Sequence, residues 1–302
     1  MTLAPLAIGA LLAVASLVDD VRTLAARQDF AAAERAARAY QAQNGATAEL
    51  AAALSWLARG ELAAARYDEA DAYAAEARRV AGKVPGVQQP DRDSRLATAI
   101  GAAIEVHAQV LAARGERAQA VTYLRSELAA YGKTSLTERI EKNINLLGLV
   151  GAAAPALDEV NWLGPKPASL FALRGHPVLL FFWAHWCPDC KAEALVLAHI
   201  VRVYGPKGLV ILGPTKLYGY MAHGDAATPD EEMRYIDAIR RQFYSGVPDM
   251  AVPVSEADFE TYGASTTPTL VLLDTNGIVR FYHPGAVSEP ELAARIEALP
   301  ER

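Results

Sequence analysis

The sequence predicts two fold classes in series, an all-α helical-repeat domain followed by an α/β domain, and three observations carry the expectation. From Asp19 to Gly151 the chain is alanine-rich and nearly free of strand signals, with apolar and alanine positions at helical spacing. Beyond it come short apolar runs, from His176 to Trp186 behind Pro177 and from Thr269 to Leu273 behind Pro268, that read as buried strands. Both cysteines of the 302-residue chain fall in Trp186-Cys187-Pro188-Asp189-Cys190, where one such run gives way to a helical pattern.

The first segment, residues 1–18, is an apolar stretch with Ala13-Val14-Ala15 before Ser16. It resembles a secretory signal with a small-residue cleavage site, although no Lys or Arg stands at its start. An uncleaved membrane anchor fits the missing basic residues, at a length marginal for spanning, and a first helix of the folded domain is the remaining reading.

Residues 19–151 form the second segment. Three stretches align, each placing Phe30, Tyr67 or Arg117 three residues ahead of an alanine, Ala33, Ala70 or Ala120. Small residues there let paired helices approach, as in the helix hairpins of tetratricopeptide-like repeats, which the segment resembles. The spacings are about 37 and about 50 residues instead of a uniform 34 or so, and a proline-containing loop, 82–94, accounts for the longer one. A nonrepeating helical bundle is the alternative. Such repeats commonly present a concave protein-binding face; dimerisation is an equal use.

Residues 152–302 form the third segment. In its centre the apolar strand ends at the cysteine pair, and the residues after it, with Leu195, Ile200 and Val203, have helical spacing. Pro188 suits the first helical position. Two residues between the sulfurs permit a small disulfide ring across the first helical turn, where unpaired N–H groups favour a thiolate. Redox exchange is therefore the leading reading of the pair. The alternatives are a zinc half-site completed by His185 and His199, and a purely structural bridge, which over so short a loop would constrain the unfolded chain only weakly.

Downstream, Thr267-Pro268 precedes the run 269–273; Asn276-Gly277 supplies a hairpin turn, and Ile278 to Tyr282 reads as the returning strand. At this point the third segment resembles the thioredoxin superfamily, and within it the TlpA-like and ResA-like thiol-disulfide oxidoreductases. The resemblance covers roughly residues 153–300 and rests on the run from Phe181 through Cys187 and Cys190 to Glu193, and on a lead-in, 167–187, that looks like a strand, a glycine turn and the active-site strand.

The resemblance implies an α/β thioredoxin fold, a cis Thr267-Pro268 bond beside the dithiol, and backbone at Thr267 that pairs with bound substrate; a trans Pro268 that merely starts a strand is the alternative. It implies Cys187 as the attacking thiolate, exposed at the helix start behind Trp186, and Cys190 as the more buried resolving sulfur. Glu193 occupies the family's acidic position, with a role in proton handling. Catalytic expectations are thus Cys187, Cys190 and Glu193, and substrate-binding ones Trp186, Thr267 and Pro268, with no diffusible cofactor and no metal. Protein thiol or disulfide clients, an electron donor or acceptor, and an extracytoplasmic, periplasmic or membrane-anchored location also follow from the resemblance.

Departures are visible. Phe181 stands where cytoplasmic thioredoxins carry a buried Asp, and Leu195 where the family often has a proline. Asp189 next to the sulfurs opposes thiolate formation unless it points into solvent. From Gly213 to Gln242 a less standard segment carries Tyr218, Tyr220, Met221 and His223, then a helix opened by Thr228-Pro229-Asp230. It either overhangs the dithiol and recognises a partner or simply packs its loop down.

The formal net charge of −6 argues against nucleic-acid binding. Two functions are therefore carried forward: a thiol-disulfide oxidoreductase acting on proteins, and a helical-repeat binding scaffold with a passive or metal-holding thioredoxin-like module.

Overall fold

A computed structural model describes residues 16–300. The stretch 1–15, with Ala13-Val14-Ala15, lies outside the described residues. By its internal contacts the chain divides between Ala113 and Arg114 into two compact units.

The first unit is helical: α1 (Leu17–Ala26), α2 (Phe30–Asn44), α3 (Ala48–Ala63), α4 (Tyr67–Ala81) and α5 (Ser94–Ala113). Ser16, Asp29 and Thr47 cap the first three, each side-chain oxygen accepting a backbone N–H of the first turn. The last three residues of the 1–18 segment are folded, since Ser16 is that cap and Leu17 and Val18 pack beside Val21, Phe30 and Leu57.

Helix α3 packs against α1, α2, α4 and α5 and is buried on nearly every side. Alanine makes this closeness achievable: Ala33 and Ala70 are fully buried. At Gly60, an added Cβ would come within 2.9 Å of the Ala25 Cβ. Helix α5 is long and apolar enough to cross a membrane by length and composition, yet most of it is buried within the protein.

Phe30, Tyr67 and Arg117 each open a helix, the last being α6 (Arg117–Tyr131). Two residues before each opening the backbone turns left-handed, at Gln28 (φ 60°), Ala65 (φ 57°) and Gly115 (φ 87°). The same three-residue turn therefore recurs at all three aligned stretches, although only the third uses the glycine that favours it.

The second unit begins with α6 and α7 (Thr137–Gly148) and continues β1 (Trp162–Leu163), β2 (Val178–Phe182), α8 (Pro188–Tyr204), β3 (Val210–Leu212), α9 (Pro229–Phe243), β4 (Val252–Pro253), α10 (Glu256–Tyr262), β5 (Thr269–Leu273), β6 (Val279–Pro284) and α11 (Glu289–Glu297). Its main sheet runs β3-β2-β5-β6, with β2 parallel to β3 and antiparallel to β5, and β6 antiparallel to β5. A two-stranded antiparallel ribbon pairs β1 with β4.

Strand β2 is buried throughout, as its unbroken apolar run requires of a central strand. Its side chains alternate. Leu179, Phe181 and then Trp183 join the core beneath α8, α9 and α11, whereas Val178, Leu180 and Phe182 join Phe259 and Tyr262 of α10. Helix α7 belongs to that second layer. Leu149 just after it lies in the same core, Asn145 Nδ2 donates to the Thr261 carbonyl at 3.0 Å, and Glu138 pairs with Lys216. Strands begin only after residue 151, but α6 and α7 lie in the same contact unit as the sheet.

The lead-in departs from expectation. Residues 167–176 form no strand; Leu173 N–H bonds back to Ser169, Arg174 to Phe171 and His176 to Leu173. These local turns consume the backbone groups a ladder would need, and they let Leu170 and Leu173 reach the core while Phe171 faces solvent.

Candidate functional site

The site grows from the C-terminal end of β2. Trp183 fixes that end: its indole N–H donates to the Gly213 carbonyl at 2.9 Å, and its own carbonyl accepts from the Thr215 hydroxyl at 2.8 Å. Four residues later Cys187 is the N-cap of α8, with Pro188 at the first helical position. Its Sγ accepts the Cys190 N–H at 3.1 Å, so this sulfur rests on the positive end of the helix.

Cys187 and Cys190 are joined as a disulfide with their Cα atoms 5.3 Å apart. The Thr267-Pro268 bond is cis, and the Thr267 carbonyl oxygen lies 3.4 Å from Cys187 Sγ. Cys187 is not exposed in this state: only 2% of its surface is accessible, against 43% for Trp186. The sulfur is enclosed between the Thr267 carbonyl and the first turn of α8, while Trp186 and Pro188 on either side of it are exposed. Asp189 points to the surface.

Glu193 is buried one turn beyond Cys190, and Val287 N–H donates to it at 3.3 Å. Burial pushes its carboxyl above the ordinary range and the charge of Asp189 adds to this, while the Val287 hydrogen bond pulls the other way. Phe181 fills the place of an acid with a fully buried ring, 5.7 Å from that of Tyr244. Leu195 faces solvent.

The sequence does not single out Tyr244 and Glu232. Tyr244 stands behind the dithiol, its hydroxyl donating to the Cys190 carbonyl at 2.9 Å and its ring 4.9 Å from that of Trp183. Glu232, buried in the first turn of α9, accepts Tyr218 N–H at 2.6 Å, Gly219 N–H at 2.7 Å and the His185 Nε2–H at 3.2 Å. Burial lowers the His185 pKa, which Glu232 opposes. An acidic residue near a helix start reads as a dipole partner, so no local signal separates Glu232 from Asp230 and Glu231.

Helix α9 opens as its sequence implies, with Thr228 and Glu231 forming a reciprocal capping box. The loop before it lies close to the dithiol segment: the Tyr218 ring meets Trp186 at 5.6 Å and His185 at 5.5 Å, both edge-on. Tyr220 also meets His185 at 5.5 Å and stands 6.2 Å from Tyr218, whereas His223 is exposed. His199, the other imidazole considered with the cysteines, pairs instead with Glu289 at the surface. Among the described residues no group of three or more His, Cys, Asp or Glu side chains is placed to hold a metal.

A parallel–antiparallel sheet with a cysteine pair capping the helix after its central strand, and a cis proline against the first sulfur, defines a thioredoxin-like domain. Residues 167–300 match the family model described as a thioredoxin-like domain. That domain is related to the DsbE- and ResA-type thiol-disulfide proteins. It is 31% identical over 120 residues to thiol:disulfide interchange protein DsbE of Xylella fastidiosa, covering 39% of this chain and 51% of that one. The chain is 27% identical over 155 residues to DsbE of Pseudomonas fluorescens, covering 50% of this chain and 78% of that one. To thiol-disulfide oxidoreductase ResA of Geobacillus kaustophilus it is 23% identical over 172 residues, covering 57% and 89%. The chain spans about half the length of the Xylella relative.

Proposed function

We propose that this chain is a thiol-disulfide oxidoreductase that exchanges its Cys187–Cys190 disulfide with protein clients outside the cytoplasm. The observation that carries the reading is the seat of Cys187 Sγ, on the Cys190 N–H at the start of α8 and against the Thr267 carbonyl. In the reduced pair that N–H favours the thiolate, the form that attacks.

Run toward client reduction, Cys187 thiolate attacks one client sulfur, forms a mixed disulfide and releases the other client sulfur as thiolate. Cys190, its proton taken by Glu193 or water, then attacks Cys187 Sγ. The pair closes, and the remaining client sulfur leaves as thiolate. Two electrons pass to the client and both its sulfurs take up protons; the reverse sequence oxidises a client dithiol. Thr267 and Pro268 form the edge along which an extended client segment lies, and Trp186 is its accessible contact. An external thiol donor or acceptor resets the pair, with no diffusible cofactor.

The helix pairs α1/α2 and α3/α4 serve as tetratricopeptide-like repeats that bind protein, a role supported by the turn repeated at Gln28 and Ala65. The extracytoplasmic location is supported by the apolar start and by the family resemblance. Ser16, just past Ala13-Val14-Ala15, already caps α1, so cleavage there leaves that helix whole.

The test is titration of the full chain in glutathione redox buffers together with Cys187→Ser and Cys190→Ser variants. Wild type shows one two-electron transition, Cys190→Ser accumulates a mixed disulfide with a peptide disulfide, and Cys187→Ser exchanges at least about a thousandfold more slowly. Undiminished exchange by Cys187→Ser would remove the redox reading and leave the scaffold.

A further inference from the structure

Glu232 is the one buried carboxylate through which the 213–242 segment grips the residues leading into the dithiol. Both its oxygens are committed: Oε1 takes Tyr218 N–H and His185 Nε2–H, and Oε2 takes Gly219 N–H. Two of these donors belong to a loop and the third to the residue before Trp186. A single side chain thus links the loop to the active-site segment in a place where only 1% of its surface meets water. Charge-assisted bonds in such surroundings are strong, and leaving one donor without its acceptor is costly.

The consequence of that link lies at the surface. With Tyr218 N–H held, the Tyr218 ring stands edge-on to Trp186 at 5.6 Å, and Trp186 is accessible where Cys187 is not. His185, gripped by the same carboxylate, sits within 5.5 Å of the rings of Tyr218, Tyr220 and Tyr235, which fix its plane. Its Nδ1 is buried with no hydrogen-bond partner, so the imidazole is oriented by Glu232 and the three rings. Loop and dithiol segment therefore share one polar anchor and one aromatic contact.

We propose that Glu232 is a specificity-determining positioning residue: it holds Tyr218 against Trp186, making the 213–242 segment one wall of the client site. The wall selects polypeptide segments with an aromatic or large apolar side chain beside the cysteine, because an edge-to-face tyrosine–tryptophan pair offers ring faces and edges at low conformational cost. This inference rests on the redox reading above.

The test is single-turnover kinetics of the pre-reduced full chain with two disulfides: hydroxyethyl disulfide, and a short peptide disulfide with phenylalanine beside cysteine. Glu232→Gln keeps the size of the side chain but turns one acceptor into a donor facing an N–H. It is expected to raise the half-saturating peptide concentration about fivefold to tenfold, with the saturating rate changed less than about twofold. Tyr218→Ala, which removes the half-buried ring itself, is expected to raise it similarly, and the double variant no further than Tyr218→Ala alone, because both act through one wall. The half-saturating concentration of hydroxyethyl disulfide should move by less than half as much. An unchanged peptide half-saturation in Tyr218→Ala, an equal rise for both disulfides, or additive effects would overturn the proposal. A wild-type chain inert toward both disulfides would instead remove the redox reading and this inference with it.

Discussion

The backbone N–H of Val287 donates to the buried Glu193 carboxyl at 3.3 Å across a sequence separation of 94 residues. Glu193 is also three residues beyond Cys190 on α8, a spacing that puts two side chains on one helix face. The loop before α11 thus fixes one oxygen of a carboxyl whose burial raises its pKa.

A carboxyl so placed can take the Cys190 proton as the mixed disulfide resolves. Glu193→Gln is expected to slow resolution by about tenfold or more while leaving formation of the mixed disulfide nearly unchanged, as general-base assistance predicts. Stopped-flow separation of the two steps checks this, and equal slowing of both would contradict it.

Asp258 carries a pH dependence of stability. Burial is the main cause that raises its carboxyl to about 6, the Asp158 charge adds, and the Asp158 N–H opposes. Its Oδ2 is buried with no hydrogen-bond partner. Folded Asp258 keeps its proton in a range where the unfolded chain has lost it, so stability is full below the ordinary aspartate value and falls as pH rises toward 6. The loss is on the order of 2 kcal/mol. Asp258→Asn keeps an acceptor for Asp158 N–H and should flatten this decline, as urea midpoints at pH 4, 5, 6 and 7 would record; an unaltered slope would speak against it.

Gly263 ends α10 in a left-handed conformation, φ 60°, with α7 directly against it: an added Cβ would lie 2.0 Å from the Lys142 backbone nitrogen. Gly263→Ala must therefore open the α7–α10 contact as well as strain the backbone. A loss of about 3 kcal/mol or more is expected, read as a fall in the denaturation midpoint. A loss below about 1 kcal/mol would mean that α7 does not dock there in solution.

Tyr244→Phe removes the hydroxyl bonded to the Cys190 carbonyl and keeps the ring against Phe181 and Trp183. The expected cost is about 1 kcal/mol, the net worth of a buried neutral hydrogen bond. A Tyr244→Leu variant should cost clearly more, since it also gives up the two ring contacts; equal costs would argue that the rings contribute little.

Local chemistry was legible wherever neighbours in sequence supply it. Thr228 with Pro229 and Glu231 specifies its own helix start, and Asn276-Gly277 its own turn. The alignment of Phe30, Tyr67 and Arg117 picks out three helix openings because buried alanines at close crossings impose a repeating small residue. The lead-in at 167–176 departs from the strand that the resemblance implied because its leucines anchor a run of local turns in the core.

The sequence by itself determined the order of an α-helical half and an α/β half, and the placing of Cys187 and Cys190 on the first turn of a helix behind a buried strand. Each rests on interactions between residues close in the chain. Only the tertiary structure decided that Cys187 is covered by the Thr267 carbonyl, that α6 and α7 share a unit with the sheet, that Tyr244 backs Cys190, and that Glu232 joins the loop to His185. Those partners are far apart in sequence, and which buried donor meets which acceptor is settled only when packing leaves each polar group a single place to be satisfied.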